Sequence, residues 1–175
     1  MKRIICCLLV LVMMVSFTAC ELDTSLGDGP GKETGTGSKV PGTKNETFGL
    51  NETAVFKTLK FTASEVRESY GDTYFGPADG KVFVGVKFTI ENISDEDQTV
   101  SSLLLFEAYA DDVKCSESFY GSVVFDEGTL DGTIAPGKKM IGWYTVEVPV
   151  DWSEIELDVQ SNWLSNSTAK FVFTK

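Results

Sequence analysis

The side chains of this 175-residue chain that could do chemistry are mostly carboxylates: 26 Asp and Glu stand against 15 Lys and Arg, with four cysteines and no histidine. Without histidine there is no Ser-His-Asp or Cys-His nucleophilic machinery and no imidazole-ligated metal. Three acidic runs, Asp95-Glu96-Asp97, Asp111-Asp112 and Asp126-Glu127, fall between apolar segments, and calcium takes carboxylate oxygens from loops. Asp95, Asp97, Asp111 and Asp112 are therefore weak metal-ligand candidates. None lies in an EF-hand spacing, and acidic loop tips equally keep a surface protein soluble. Paired carboxylates for glycoside hydrolysis must face one cleft about 5 to 9 Å apart, which sequence spacing does not establish. No catalytic residue, metal or cofactor is assigned, and the chain is read as a non-enzyme. A pI near 4.4 and a formal charge of −11 exclude the clustered Lys and Arg of a nucleic-acid binder.

Aromatic side chains are the second group with binding chemistry. The run Tyr70-Gly71-Asp72-Thr73-Tyr74-Phe75-Gly76-Pro77 joins aromatics to glycine and proline, the composition of a loop. Tyr70, Tyr74 and Phe75 are candidates for a binding loop. The competing expectation, favoured by the area an aromatic ring buries, is that they fold back over the end of the core. Phe119-Tyr120-Gly121 poses the same choice. Trp143 alternates with Tyr144 and so faces outward, where an exposed indole would mark an interface or a sugar-stacking face, unless a covering element buries it.

These residues need elements to hold them, and the first 51 residues supply none. Met1-Lys2-Arg3, an apolar run from Ile4 to Val15, and Ser16-Phe17-Thr18-Ala19-Cys20 form a tripartite export signal, too short to span a bilayer. Phe17-Thr18-Ala19-Cys20 resembles the lipobox of bacterial lipoproteins, which implies cleavage after residue 19 and acylation of Cys20. Two acyl chains suffice for stable anchoring, so the membrane is an expected partner through lipid. Cys6 and Cys7 leave with the signal, and Cys115 remains as a lone strand-edge thiol, expected to act as a small hydrophobe. The Asn-x-Ser/Thr triplets at Asn45, Asn51, Asn92 and Asn166 carry no weight in a bacterial chain. Residues 20–51 are rich in glycine and lack apolar periodicity, the pattern of a flexible stalk reaching about 30 Å. The mature chain, with 13 basic against 26 acidic residues, repels anionic headgroups, which leaves the lipid as the anchor.

Residues 52–175 show period two throughout. Val82, Val84, Val86, Phe88 and Ile90 share one face while Lys81, Lys87, Thr89 and Glu91 share the other, the signature of a half-buried antiparallel strand. Further strands are expected over 55–61, 103–110, 140–148, at Ile155, Leu157 and Val159, and at Phe171 and Phe173, with one helical turn over 64–70. Asp79-Gly80 and Pro136-Gly137 supply tight turns, the latter fitting the central pair of type II. Seven to eight short antiparallel strands at this spacing predict an all-β, immunoglobulin-like sandwich.

The stretch from Val82 to Asp95, the strand with Phe106, Ala135-Pro136-Gly137-Lys138 and Gly142-Trp143-Tyr144-Thr145-Val146-Glu147-Val148-Pro149 resemble a family of bacterial surface lipoprotein domains of unknown function. The resemblance implies immunoglobulin-type sandwiches similar to the mycobacterial immunoprotective extracellular antigen, and it carries no site residues with it. The expectation is an extracytoplasmic lipoprotein displaying a binding or scaffolding domain to an envelope protein or polymer. The alternatives are an inhibitor or regulator of an extracellular hydrolase and a calcium-dependent binding module.

Overall fold

The computed structural model describes residues 46–162, 164 and 167–175, with the backbone of 38–39. The signal segment 1–19, Cys20, most of the stalk, Asn45 and Asn166 lie outside the described residues. In chain order the described elements are β1 (Ser38–Lys39), β2 (Thr47–Phe48), β3 (Thr53–Val55), β4 (Leu59–Ser69), β5 (Lys81–Asn92), β6 (Gln98–Val100), α1 (Ser102–Leu105), β7 (Phe106–Ala110), β8 (Val113–Cys115), α2 (Phe119–Phe125), β9 (Gly132–Ile134), β10 (Lys139–Pro149), β11 (Glu154–Gln160) and β12 (Thr168–Thr174).

Two five-stranded sheets, ordered β1-β3-β4-β5-β10 and β2-β12-β11-β7-β8, are joined by a β6-β9 ribbon. The short pairs β1 with β3 and β2 with β12 are parallel; the other described pairs are antiparallel. Alternation decides the core. Val82, Val84, Val86, Phe88 and Ile90 are all buried, while Lys87, Thr89 and Glu91 between them stay half-exposed. Phe61 and Phe88 of the first sheet meet Phe106 and Phe171 of the second edge to face, with ring centroids 5.2 to 6.1 Å apart. Such pairs add to the stabilisation from burial alone. The protein is an all-β sandwich, as the strand spacing predicts.

Turn chemistry closes one end. Lys138 N donates to Ala135 O at 3.0 Å with Gly137 at φ 68°, the type II geometry that needs glycine at the third position. Asn92, fully buried, donates to Ile134 O and Glu96 O and accepts from Ser94 N and Oγ. Its side chain therefore ties the 93–97 loop to the β9–β10 connection.

Three expectations fail, the simplest being the single strand over 55–61, which is broken: β3 ends at Val55 and β4 begins at Leu59. Residues 64–69 do not form a helical turn; they continue β4, and the register against β5 slips between Ala63 and Glu65. Leu59, Phe61 and Ala63 point inward before this bulge; Val66 points inward after it, and Arg67 reaches the outer face. One unpaired residue reverses the parity of the strand. The third failure is the start of the 103–110 strand: residues 102–105 are a helical turn, and the strand begins at Phe106.

Candidate binding site

The 70–77 loop is ordered by one carboxylate. Asp72 accepts from Tyr74 N at 2.7 Å and Phe75 N at 2.8 Å, while its own N–H donates to Phe75 O. These bonds hold the Asp72 carboxyl below its ordinary value. The loop does not fold over the core: Tyr74 is 86 % exposed and Tyr70 67 %. Phe75 stacks on Tyr120 of α2 with centroids 5.7 Å apart, so the two aromatic segments flagged by the sequence meet in space.

Helix α2 begins at Ser118, whose hydroxyl caps the helix by accepting from Gly121 N, the usual role of an N-cap serine. Ser118 N donates to Thr145 O, Thr145 Oγ1 donates back to Ser118 O, and Ser122 Oγ lies 3.0 Å from Thr145 Oγ1. These contacts lay α2 across the outer face of β5 and β10. Beneath it Trp143 is 3 % exposed, stacked on Phe125 at 4.9 Å and grouped with Phe83. Trp143 does point away from the inner core, but α2 and the Arg67 guanidinium, 4.5 Å above the indole, cover it. It is a packing residue of a second, small core and leaves the set of contact candidates. Gly85 makes this layer fit: a Cβ there would lie 2.8 to 2.9 Å from Phe125 and Trp143 atoms.

Two hollows flank the start of α2, and Glu117 and Phe119 line both. The first, about 540 Å³, is also lined by Ser102, Leu103, Val123 and Asp131. In it Ser102 Oγ lies 2.8 Å from Glu117 Oε2 and 3.1 Å from Asp131 Oδ2. Asp131 also accepts from Ser102 N and Thr129 Oγ1. Burial pushes the Glu117 carboxyl up; the Ser102 hydrogen bond opposes this, and the charge of Asp131 adds to it. The second hollow, about 690 Å³, adds Lys81, Val113, Lys114, Cys115, Tyr120 and Glu147. The rims carry Phe119 at 85 %, Leu103 at 78 % and Tyr120 at 58 % exposure. Sequence reading flagged Phe119 and Tyr120 and missed Glu117 and Leu103. Their signal was faint: Leu103 opened a segment that reads as strand, and Glu117 lay between expected elements with no motif around it.

Residues 48–170 match the model of a family described as Domain of unknown function (DUF4352). This chain belongs to that family. No curated protein matches it. Among solved structures the DUF4352 chain is similar to a candidate lipoprotein, ycdA, of Bacillus subtilis, at TM-score 0.57 and 16 % identity. That match covers 70 % of this chain and 38 % of the other, so this chain spans well under half of that protein. It is similar as well to an uncharacterised β-sandwich protein of Clostridium difficile, at TM-score 0.53 and 17 % identity over 75 % and 95 % of the two chains. MPT63, a secreted protein of Mycobacterium tuberculosis, gives TM-score 0.51 and 14 % identity over 77 % and 100 %. At these identities the likeness establishes the immunoglobulin-like sandwich.

The acidic candidates of this DUF4352 chain do not converge. Asp111 and Asp112 form the β7–β8 turn near the start of β5, whereas Asp95 and Asp97 follow its end. Twelve residues of strand put about 35 Å between those ends. Asp111 is already engaged, accepting from Ser153 N and Oγ and Glu154 N, and these bonds hold its carboxyl low. Among the described residues no three His, Cys, Asp or Glu side chains gather to hold a metal ion. Burial pushes the Cys115 thiol up, the opposite of a reactive thiolate.

Proposed function

We propose that the chain is an extracytoplasmic lipoprotein, acylated at Cys20 and carried on a Gly-rich stalk, whose sandwich is a binding module for an envelope protein or polymer. The observation that carries the binding role is the exposure of Tyr70, Tyr74, Phe119 and Tyr120 in a domain that buries both described tryptophans and most of its described phenylalanines. Large exposed aromatics at ordered positions mark contact surfaces. The export signal and lipobox motif carry the anchor, and the candidate-lipoprotein and secreted descriptions of structural neighbours support the extracytoplasmic location. The acid pair Glu117 and Asp131 does not support a catalytic role, because the Ser102 hydroxyl sits between them, where a scissile bond would have to lie.

Intact mass of protein extracted from membranes should show a diacylated Cys20, and Cys20→Ser should release the chain to the medium. Retention of that variant at the membrane removes the anchor from the proposal. Crosslinking on intact cells should capture a reproducible partner that Tyr74→Ala loses. The ordered 70–77 loop favours one second reading, inhibition of an extracellular hydrolase by loop insertion, and a saturable, Tyr74-dependent loss of hydrolase activity would select it.

A further inference from the structure

We propose that the hollow between α1, α2 and residues 128–131 is a docking groove for a polypeptide segment carrying a lysine or arginine between apolar residues. The cation seats on Glu117 and Asp131, and its neighbours pack on Leu103, Phe119 and Val123. This deepens the binding-module reading and rests on it, while being independent of the anchor.

The argument begins with charge. None of the residues lining this hollow is Lys or Arg. Elsewhere several of the domain's glutamates have a cation beside them: Glu68 with Lys175, Glu91 with Lys139, Glu107 with Lys114, Glu127 with Lys87 and Arg67, Glu147 with Lys81, and Glu156 with Lys170. Glu117 and Asp131 have no such partner among the described residues, although Glu117 is half-buried, where a lone carboxylate is costly. The hydrogen count sharpens this. Ser102 has one hydroxyl hydrogen and two carboxylate oxygens within 3.1 Å, so it satisfies one of them, and Glu117 Oε1 has no donor among the described residues. A guanidinium or ammonium brings several donors and a positive charge to the same place.

The walls select a polypeptide over a free amine. Leu103, Phe119 and Val123 stand 48 % to 85 % exposed around the acids, an apolar rim that a bare cation would leave wet. Glu117 and Phe119 also line the adjoining hollow with Val113 and Tyr120, so a chain several residues long can lie across both. The lysines there, Lys81 and Lys114, are matched by Glu147 and Glu107. A membrane surface is disfavoured, since anionic headgroups meet an anionic floor.

The test uses the full chain, purified in detergent and fluorescently labelled, on an array of immobilised pentapeptides with Arg, Lys, citrulline or Glu at the centre and Leu, Phe or Ala beside it. Binding should be confined to Arg and Lys centres with Leu or Phe neighbours, about tenfold above citrulline, the effect of losing one partly desolvated charge pair. Glu117→Gln should bring the Arg and Lys peptides down to the citrulline level and leave citrulline unchanged. Phe119→Ala should weaken Leu- and Phe-flanked peptides alike. Equal binding of Arg and citrulline peptides, indifference to Glu117→Gln, or no saturable binding overturns the groove. So does self-association, or binding of the Cys20→Ser chain to phosphatidylcholine vesicles, that is lost in Phe119→Ala and occurs without peptide binding. Membrane fractionation of the same protein reads the anchor separately, so failure of one leaves the other standing.

Discussion

The layer between the sheets and the layer beneath α2 share strand β5, yet they close differently. Between the sheets, the inner residues of β4, β5 and β10 interdigitate with those of β7, β11 and β12, and strict alternation fills the space from both sides. Beneath α2 there are three aromatics, Phe83, Phe125 and Trp143, one glycine that admits them, and a seven-residue helix too short to be stable without its docking contacts. The first layer is distributed over the sheet. The second hangs on a few residues and on the charged groups around them, and its lid carries the exposed Phe119 and Tyr120. The inner layer holds most of the domain's buried apolar residues, and the outer one positions the exposed aromatics of the proposed contact surface.

Phe88→Ala tests that division most severely. Phe88 is fully buried against Phe106 and Phe171, and truncating such a ring costs about 3–5 kcal/mol. Denaturant unfolding should show a single transition at much lower midpoint; a loss under about 1 kcal/mol would mean that the inter-sheet layer does not hold the fold.

Gly85→Ala should strike the outer layer alone. The added methyl collides with Phe125 and Trp143, and overpacking of this kind costs about 1–3 kcal/mol. Amide exchange should accelerate over 119–125 while β11 and β12 keep their protection. Equal acceleration throughout would show that the two layers are one cooperative unit.

Acid and base should pull on the outer layer with opposite signs through two glutamates. Hydrogen bonding to Lys87, then its charge, then Arg67 hold Glu127 below the ordinary carboxylate range, with a small part from the Trp143 indole, whose N–H makes no full hydrogen bond. A folded value below the unfolded one contributes in full above the unfolded value and is lost as pH falls through the folded one. Acid should therefore loosen the cover over Trp143 first, seen as broadening of its indole N–H resonance, weakly and in a salt-dependent way because the pair is half-exposed. Glu117 runs the other way. Its raised value contributes below the unfolded value and is lost as pH rises through the folded one. Asp131 faces it, Tyr144 lies near, and Lys81 and Lys114 line the adjoining hollow already paired. Glu117→Gln should raise the melting temperature at pH 7 and leave it unchanged at pH 3.5. A lower melting temperature at pH 7 would mean that the carboxylate is already compensated.

The inner layer was legible in the sequence because it obeys one rule. From Val82 to Ile90 and from Tyr144 to Val148 the apolar residues recur at period two, and the turn chemistry of Pro136-Gly137 marks a boundary. The outer layer breaks that rule. Phe83 and Gly85 sit on the face that alternation assigns to solvent, and Trp143 looked outward for the same reason. The bulge after Ala63 reversed the parity of β4, which made Ser64 to Ser69 resemble a helical turn and hid the route of Arg67 to the indole. Phe119 to Phe125 is too short to show a helical period, so its docking on Thr145 was invisible. Glu117 and Asp131 are 14 positions apart and meet only through Ser102, an encounter that spacing does not encode.

The smallest effect on stability is expected where the surface is most exposed. Tyr74 touches solvent over most of its area, and the loop beneath it is held by Asp72 through backbone N–H groups, which a change of side chain leaves in place. Tyr74→Ala should thus alter the unfolding free energy by no more than about 0.5 kcal/mol and leave the Phe75–Tyr120 stack and the α2 amides as they are. A larger loss would place Tyr74 in the packing that supports α2 and move the contact surface to Phe119 and Tyr120. A near-zero change makes any loss of a captured partner a direct effect of the missing ring, so this variant separates display from support where Trp143→Ala, which removes the floor under α2, does not.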